Sequence, residues 1–113
     1  MKLLGKSILL WEKEDGILAD TVDDSELIST YWSNDCTAAV VPRECVSDEF
    51  FDLSTRLAGE TLQKLTNYHL RIAFAGDFSG GSASLQDFMR ECNKGTQVFF
   101  AKDVDEAVGL LSR

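Results

Sequence analysis

Residues 36–41 read CTAAVV. The run does not alternate polar with apolar residues, as a strand with one wet face would. Continuous small and β-branched residues predict a strand covered on both sides, as in a parallel sheet. Pro42 lacks the N–H that would extend the ladder, so the strand is expected to stop there. Leu70–Ala75 (LRIAFA) and Thr96–Ala101 (TQVFFA) are two further runs of this kind. Ser7–Glu12 (SILLWE) is a shorter apolar run. Asp15-Gly16 stands between it and Ile17–Ala19, and residues that tolerate positive φ at that place predict a hairpin.

Helical spacing fills the intervals. Asp23 and Asp24 open a stretch in which Leu27, Ile28, Tyr31 and Trp32 share one narrow face, closed by Ser33-Asn34-Asp35. Ser47 with Asp48 and Glu49 marks a helix start, because the hydroxyl can cap free N–H groups and acids suit the positive helix end. The longest helix is expected over 48–66, with Phe50, Phe51, Leu53, Leu57, Ala58, Leu62 and Leu65 on one half of its surface. Leu85, Phe88, Met89 and Cys92 give the next stripe, stopped by Gly95. Asp103 with Glu106 caps a last helix carrying Val104, Ala107, Val108 and Leu111. A hairpin followed by αβαβαβα implies an α/β domain with a mainly parallel sheet and right-handed crossovers.

The 113 residues favour one domain. A chain this size buries roughly 65% of its unfolded surface and needs no disulfide or metal staple. It has one Pro, no repeat and no linker-like stretch, so no domain boundary is expected. The formal net charge is −8. Residues 1–35 hold eight acids against three bases, and the rest eleven against eight. Such a field repels nucleic acid and anionic lipid, so neither is expected as a partner.

Cys36, Cys45 and Cys92 are widely spaced, no CxxC occurs, and His69 is the single histidine. No metal or other cofactor is therefore expected. Three unpaired thiols suit a reducing cytoplasm. Charges interrupt the N-terminal apolar stretches, so neither a signal peptide nor a membrane span is expected.

Residues 76–85, GDFSGGSASL, lie just past a predicted buried strand. In open α/β sheets ligands collect at that edge. Asp77, Phe78, Ser79, Gly80, Gly81, Ser82 and Ser84 are the candidate binding residues, and the free N–H groups of the next helix could hold a small anion. A nucleotide phosphate loop does not fit. Four residues separate Gly76 from Gly81, but Ser82 and Ala83 stand where Lys and Ser/Thr belong. The alternative is structural: the glycines relieve strain and Ser84 caps with Asp87. A phosphoacceptor arrangement of Glu12, Glu14, Asp15, Asp77 and Lys102 has the wrong spacing, since one helix alone separates the strand of Asp77 from that before Lys102.

Gly59 is expected mid-helix, among Asp52, Arg56, Glu60, Gln63 and Asn67 on one polar face. Glycine in a helix interior costs about 1 kcal/mol relative to Ala. Close approach of another backbone, from a partner chain or from the protein's own N-terminal hairpin, would offset that, which makes these six residues a candidate contact surface for a partner protein or a second copy. The alternative is a solvated face with i,i+4 pairs. His69 at a helix exit has no visible Ser/Asp pairing, so catalysis is not expected there. Cys92 falls on an apolar stripe and is expected to pack. Cys45, in RECVS near a helix start, is expected to be the more thiolate-like.

The segments FFDLSTRLAGETLQKLTNY and GDFSGGSASLQDFMRECNKGTQVFF resemble a small bacterial family known as a domain of unknown function, over about Phe50–Leu111. The resemblance implies no reaction. VFFAKDVDEAVGLL resembles the closing strand and helix of STAS domains (sulfate-transporter and anti-sigma-antagonist domains). That resemblance implies a single-domain β/α superhelix that binds partner proteins, in some cases through a phosphorylatable Ser at a helix start. The corresponding start here is Ser47-Asp48, and the DSSG-like motif is absent. Together these features predict a non-enzymatic cytoplasmic module that binds another protein or itself, with an anion or small-molecule binder at 76–84 as the alternative.

Overall fold

A computed structural model describes residues 2–4, 7–18, 24–33, 35–52 and 56–112. The described residues form one five-stranded sheet in the order β1-β2-β3-β4-β5: Lys2–Leu4, Ile8–Leu10, Ala38–Pro42, Ile72–Ala75 and Val98–Ala101. β1 is antiparallel to β2, and all other neighbours are parallel. The helices are α1 (Asp24–Ser33), α2 (Leu57–Asn67), α3 (Ala83–Lys94) and α4 (Val104–Leu111). The α/β architecture and mainly parallel sheet read from the non-alternating runs are thus observed.

Strand alternation divides the core between two faces. Leu9, Ala39, Val41, Ile72, Phe74, Val98 and Phe100 point to one side, where they meet Leu27, Ile28 and Tyr31 of α1, Leu62 and Leu65 of α2, and Leu85 and Met89 of α3. Ala38, Val40, Ala73, Ala75, Phe99 and Ala101 point to the other, against Ala107 and Leu111 of α4. Because each parallel crossover lays its helix over the same face, α4 alone among the described helices covers the second. The alanines beneath it let the helix come close. β5 is an edge strand, and Asn93 of α3 takes up the N–H and carbonyl of its Phe100. Its Oδ1 accepts from the Phe100 N–H at 2.7 Å and its Nδ2 donates to the Phe100 carbonyl at 3.3 Å. An amide standing in for a further strand blunts an edge that would otherwise pair with another chain.

Two expectations are corrected. The N-terminal hairpin joins β1 to β2 and does not turn at Asp15-Gly16. Lys13–Asp15 form a 3-10 turn in which Asp15 accepts from the Glu12 N–H at 2.9 Å, and Gly16, at φ 94°, presents its carbonyl to Trp11 Nε1 at 2.9 Å. The chain then runs on to Leu18, which bridges Val46 in parallel. The turn signal was real, but Trp11 anchors it, and among the described residues no strand pair flanks it.

The long helix over 48–66 is also broken. Asp48–Phe51 form a 3-10 turn capped by Ser47, Asp52 is extended, and Arg56 takes a left-handed φ of 62° before α2 begins. Consecutive Phe50 and Phe51 both pack on Phe74, at 5.2 and 6.2 Å between ring centres. A straight helix would turn one of the two rings about 100° away from the other. Ala19, Asp23, Asn34, Leu53 and the side chain of Ala58 lie outside the described residues.

Candidate functional site

The strand register brings two chain exits together. Pro42 at the end of β3 pairs with Ala75 at the end of β4. Arg43 and Gly76 therefore leave the sheet side by side at its carboxyl edge. Gly76 packs so close to Arg43 that a Cβ there would collide with the arginine's Cβ. The first glycine of GDFSGG thus serves close approach between two strand exits.

Beyond this pair a cleft of about 420 Å³ opens between the Asp48–Phe51 turn and the start of α3. Phe51, Phe78 and Leu85 supply its apolar lining, and Arg43, Asp48, Asp52 and Asp77 its charges. Gly80, Gly81 and Ser82 complete it. Phe78 packs 5.3 Å from Phe51 and, edge to face, 5.3 Å from Phe100, so the cleft floor is continuous with the core. Arg43 lies over the Phe51 ring, 4.2 Å from its centre, and its Nη2 is 2.7 Å from Asp48 Oδ1. Its Nη1 donates to the Val46 carbonyl at 3.3 Å.

The loop is built by its own polar groups. Asp77 Oδ1 accepts from the Ser79 hydroxyl at 2.6 Å and the Ser79 N–H at 2.9 Å. Both bonds stabilise the charged form and hold the exposed Asp77 carboxyl below the usual range, the hydroxyl contributing most. The Gln86 side chain ties the Phe78 carbonyl to α3. Ser82, not Ser84, is the helix cap. Its Oγ accepts from the Leu85 N–H at 3.1 Å, and its carbonyl accepts from Gln86 N. The helix begins two residues before the capping pair Ser84–Asp87 would require, and Asp87 pairs instead with Arg90 at 2.9 Å.

Of the predicted binding residues, Asp77, Phe78, Gly80, Gly81 and Ser82 line the cleft. Ser79 acts through Asp77, and Ser84 is exposed on the first turn of α3. Of the predicted contact face, Asp52 joins this cleft, while Arg56, Gly59, Glu60, Gln63 and Asn67 are exposed along α2. Gly59 is the third residue of α2 rather than a mid-helix one, and a Cβ there would meet nothing within 4 Å. Among the described residues, no part of the chain itself makes a close approach to this glycine.

Sequence reasoning passed over Arg43, Asp48, Phe51 and Leu85 as site residues. Strand register is the signal for Arg43: Pro42 pairs with Ala75, so Arg43 and Gly76 must emerge together. Cys45 is corrected too. It is fully buried, and burial, then Glu44, push its thiol pKa up. Cys92 is partly buried, and burial raises it likewise. His69 is exposed with φ 60°. Among the described residues no group of three or more His, Cys, Asp or Glu could hold a metal ion, and no helix is long and apolar enough to cross a membrane.

Residues 4–111 match the model of a family described as a domain of unknown function, DUF4180, so the match extends well before Phe50. No curated protein and no solved structure matches the chain.

Proposed function

The chain belongs to DUF4180, a family whose description assigns no activity, and we propose that it is a non-enzymatic cytoplasmic module that binds a partner protein through the carboxyl-edge cleft. The observation carrying this is the aromatic floor of Phe51 and Phe78 beneath a charged rim, with Phe78 its partly exposed ring. An apolar anchor site inside a polar ring is the pattern of an interface hot spot. The STAS resemblance of residues 98–111 supports partner binding, and the three free cysteines support a reducing compartment. Arg56, Gly59, Glu60, Gln63 and Asn67 extend the proposed surface from Asp52 along α2. The anionic alternative rests on the α3 N-terminus, and the carboxylates of Asp48, Asp52 and Asp77 in the same cleft weigh against it.

The test uses Gly80→Tyr, because a Cβ at Gly80 meets nothing within 4 Å. Bait carrying this change is compared with wild type and with Lys94→Ala at the far end of α3. A protein retained by wild type and Lys94→Ala but lost from a folded Gly80→Tyr supports the reading. Identical capture by all three sinks it.

A further inference from the structure

We infer that a second copy of this chain covers the open half of the second sheet face, with its α4 seated beside α4 of the first copy. Among the described residues α4 is the one helix on that face, and it packs over β3, β4 and β5. Cross-strand pairing brings Lys2, Leu4, Ile8 and Leu10 of β1 and β2 to the same face, beyond the flank of α4. Leu4, Ile8, Leu10, Val104 and Val108 are half-buried, so an apolar groove runs between β2 and the helix. Leu10 and Val104 line one hollow of about 270 Å³ at its carboxyl end, which sets that flank of α4 toward β2. β2 stands two strand spacings from β4, about 10 Å, the distance at which two helices pack side by side. The groove therefore has the width of one helix.

A twofold axis parallel to the strands, set between two such faces, puts each α4 in the other copy's groove. The ends match. α4 starts at the carboxyl edge, where Lys2 pairs with Leu10, and it finishes at the amino edge, where the Leu111 carbonyl accepts from Arg71 Nη1 at 2.9 Å. Lys2 of one copy then faces Asp105 of the other; both are exposed, and neither has an ion pair among the described residues. Gly109, on the exposed side of α4, comes down on the apolar strands, and within one copy a Cβ there meets nothing within 4 Å. Val104 and Val108 meet their own counterparts across the axis. Each contact occurs twice, as a closed twofold interface requires. The charge of −8 on each copy opposes the approach, so burial of the groove supplies the attraction.

Sedimentation equilibrium of the full chain follows its mass from micromolar to millimolar concentration at physiological salt. The mass is expected to climb from 12.5 kDa toward twice that value. Gly109→Gln, which has room in the single copy, should weaken the dimer by about tenfold or more, the scale of overpacking a closed contact. Lys2→Glu and Asp105→Lys should each weaken it by about fivefold, the scale of two partly exposed ion pairs lost by symmetry. The two reversals combined should restore it. Gly59→Tyr on α2 and Gly80→Tyr in the carboxyl-edge cleft should leave it unchanged. A chain that stays monomeric at millimolar concentration overturns the inference and leaves the groove to a different protein. A dimer that withstands Gly109→Gln and both single reversals, or that dissociates with Gly59→Tyr or Gly80→Tyr, overturns it as well. If Gly109→Gln loses its folded spectrum, rescue by the double charge reversal decides.

Discussion

The guanidinium of Arg43 rests on the ring of Phe51, 4.2 Å from its centre. With the Asp48 ion pair, this contact fastens the exit of β3 to the turn that precedes α2. Its other partner, Asp48, is 93% exposed, so the ring and not the ion pair carries most of the stabilisation. Arg43→Ala is expected to cost about 1 kcal/mol, and Phe51→Ala about 3 kcal/mol through lost burial. Denaturant melts of both and of the double variant should give a coupling of about 0.5–1 kcal/mol. Strict additivity would mean that the two side chains do not act together.

Ser82 and Ser84 separate in the same way. Ser82 caps α3, so Ser82→Ala should cost about 1 kcal/mol. Ser84 caps nothing, so Ser84→Ala should fall within about 0.5 kcal/mol of wild type. Thermal melts of the two variants check the order, and a reversed order would restore the helix start read from sequence.

Gly76 and Gly59 should respond oppositely to one added methyl. At Gly76 the methyl strikes the base of the Arg43 side chain, which cannot swing aside without its backbone, so Gly76→Ala is expected to lose about 1–3 kcal/mol. At Gly59 it meets open space, and Gly59→Ala should gain up to about 1 kcal/mol. A stabilised Gly59→Ala with unchanged mass in solution removes backbone contact at this glycine. A destabilised one reinstates it.

The strands and their direction were legible because burial on both faces leaves no polar alternation to mistake. LRIAFA and TQVFFA each contain an observed strand, and CTAAVV holds all of β3 except Pro42. The Asp103 cap was equally legible, its carboxylate accepting from the Glu106 N–H at 2.8 Å. The hairpin and the long helix were misplaced for one shared reason. Local signals at Asp15-Gly16 and Asp48–Thr66 were outweighed by distant side chains, Trp11 in the first case and Phe74 in the second. Half of the site was hidden for another. Asp77 and Phe78 sit in a conspicuous glycine loop, whereas Arg43 and Phe51 reach the cleft through strand register and a broken helix.

The thiols give a pH dependence of known sign. Burial raises the pKa of Cys36, Cys45 and Cys92 above their unfolded values. The stability this contributes is complete below the ordinary thiol range and is lost as pH rises through the raised values. The urea midpoint should therefore fall between about pH 8 and pH 10. Native-state alkylation should label the partly buried Cys92 first and the enclosed Cys45 last. Rapid labelling of Cys45 would place it on the surface as a reactive thiol.

The most direct measurement of the docking surface is photo-cross-linking inside the native cell. A photoreactive amino acid replaces Gly80, where the backbone has room, and a matched protein carries it at Lys94. A discrete adduct to another protein from position 80, with none from position 94, is the result the cleft predicts. The same adducts from both positions, or none from position 80, would contradict it.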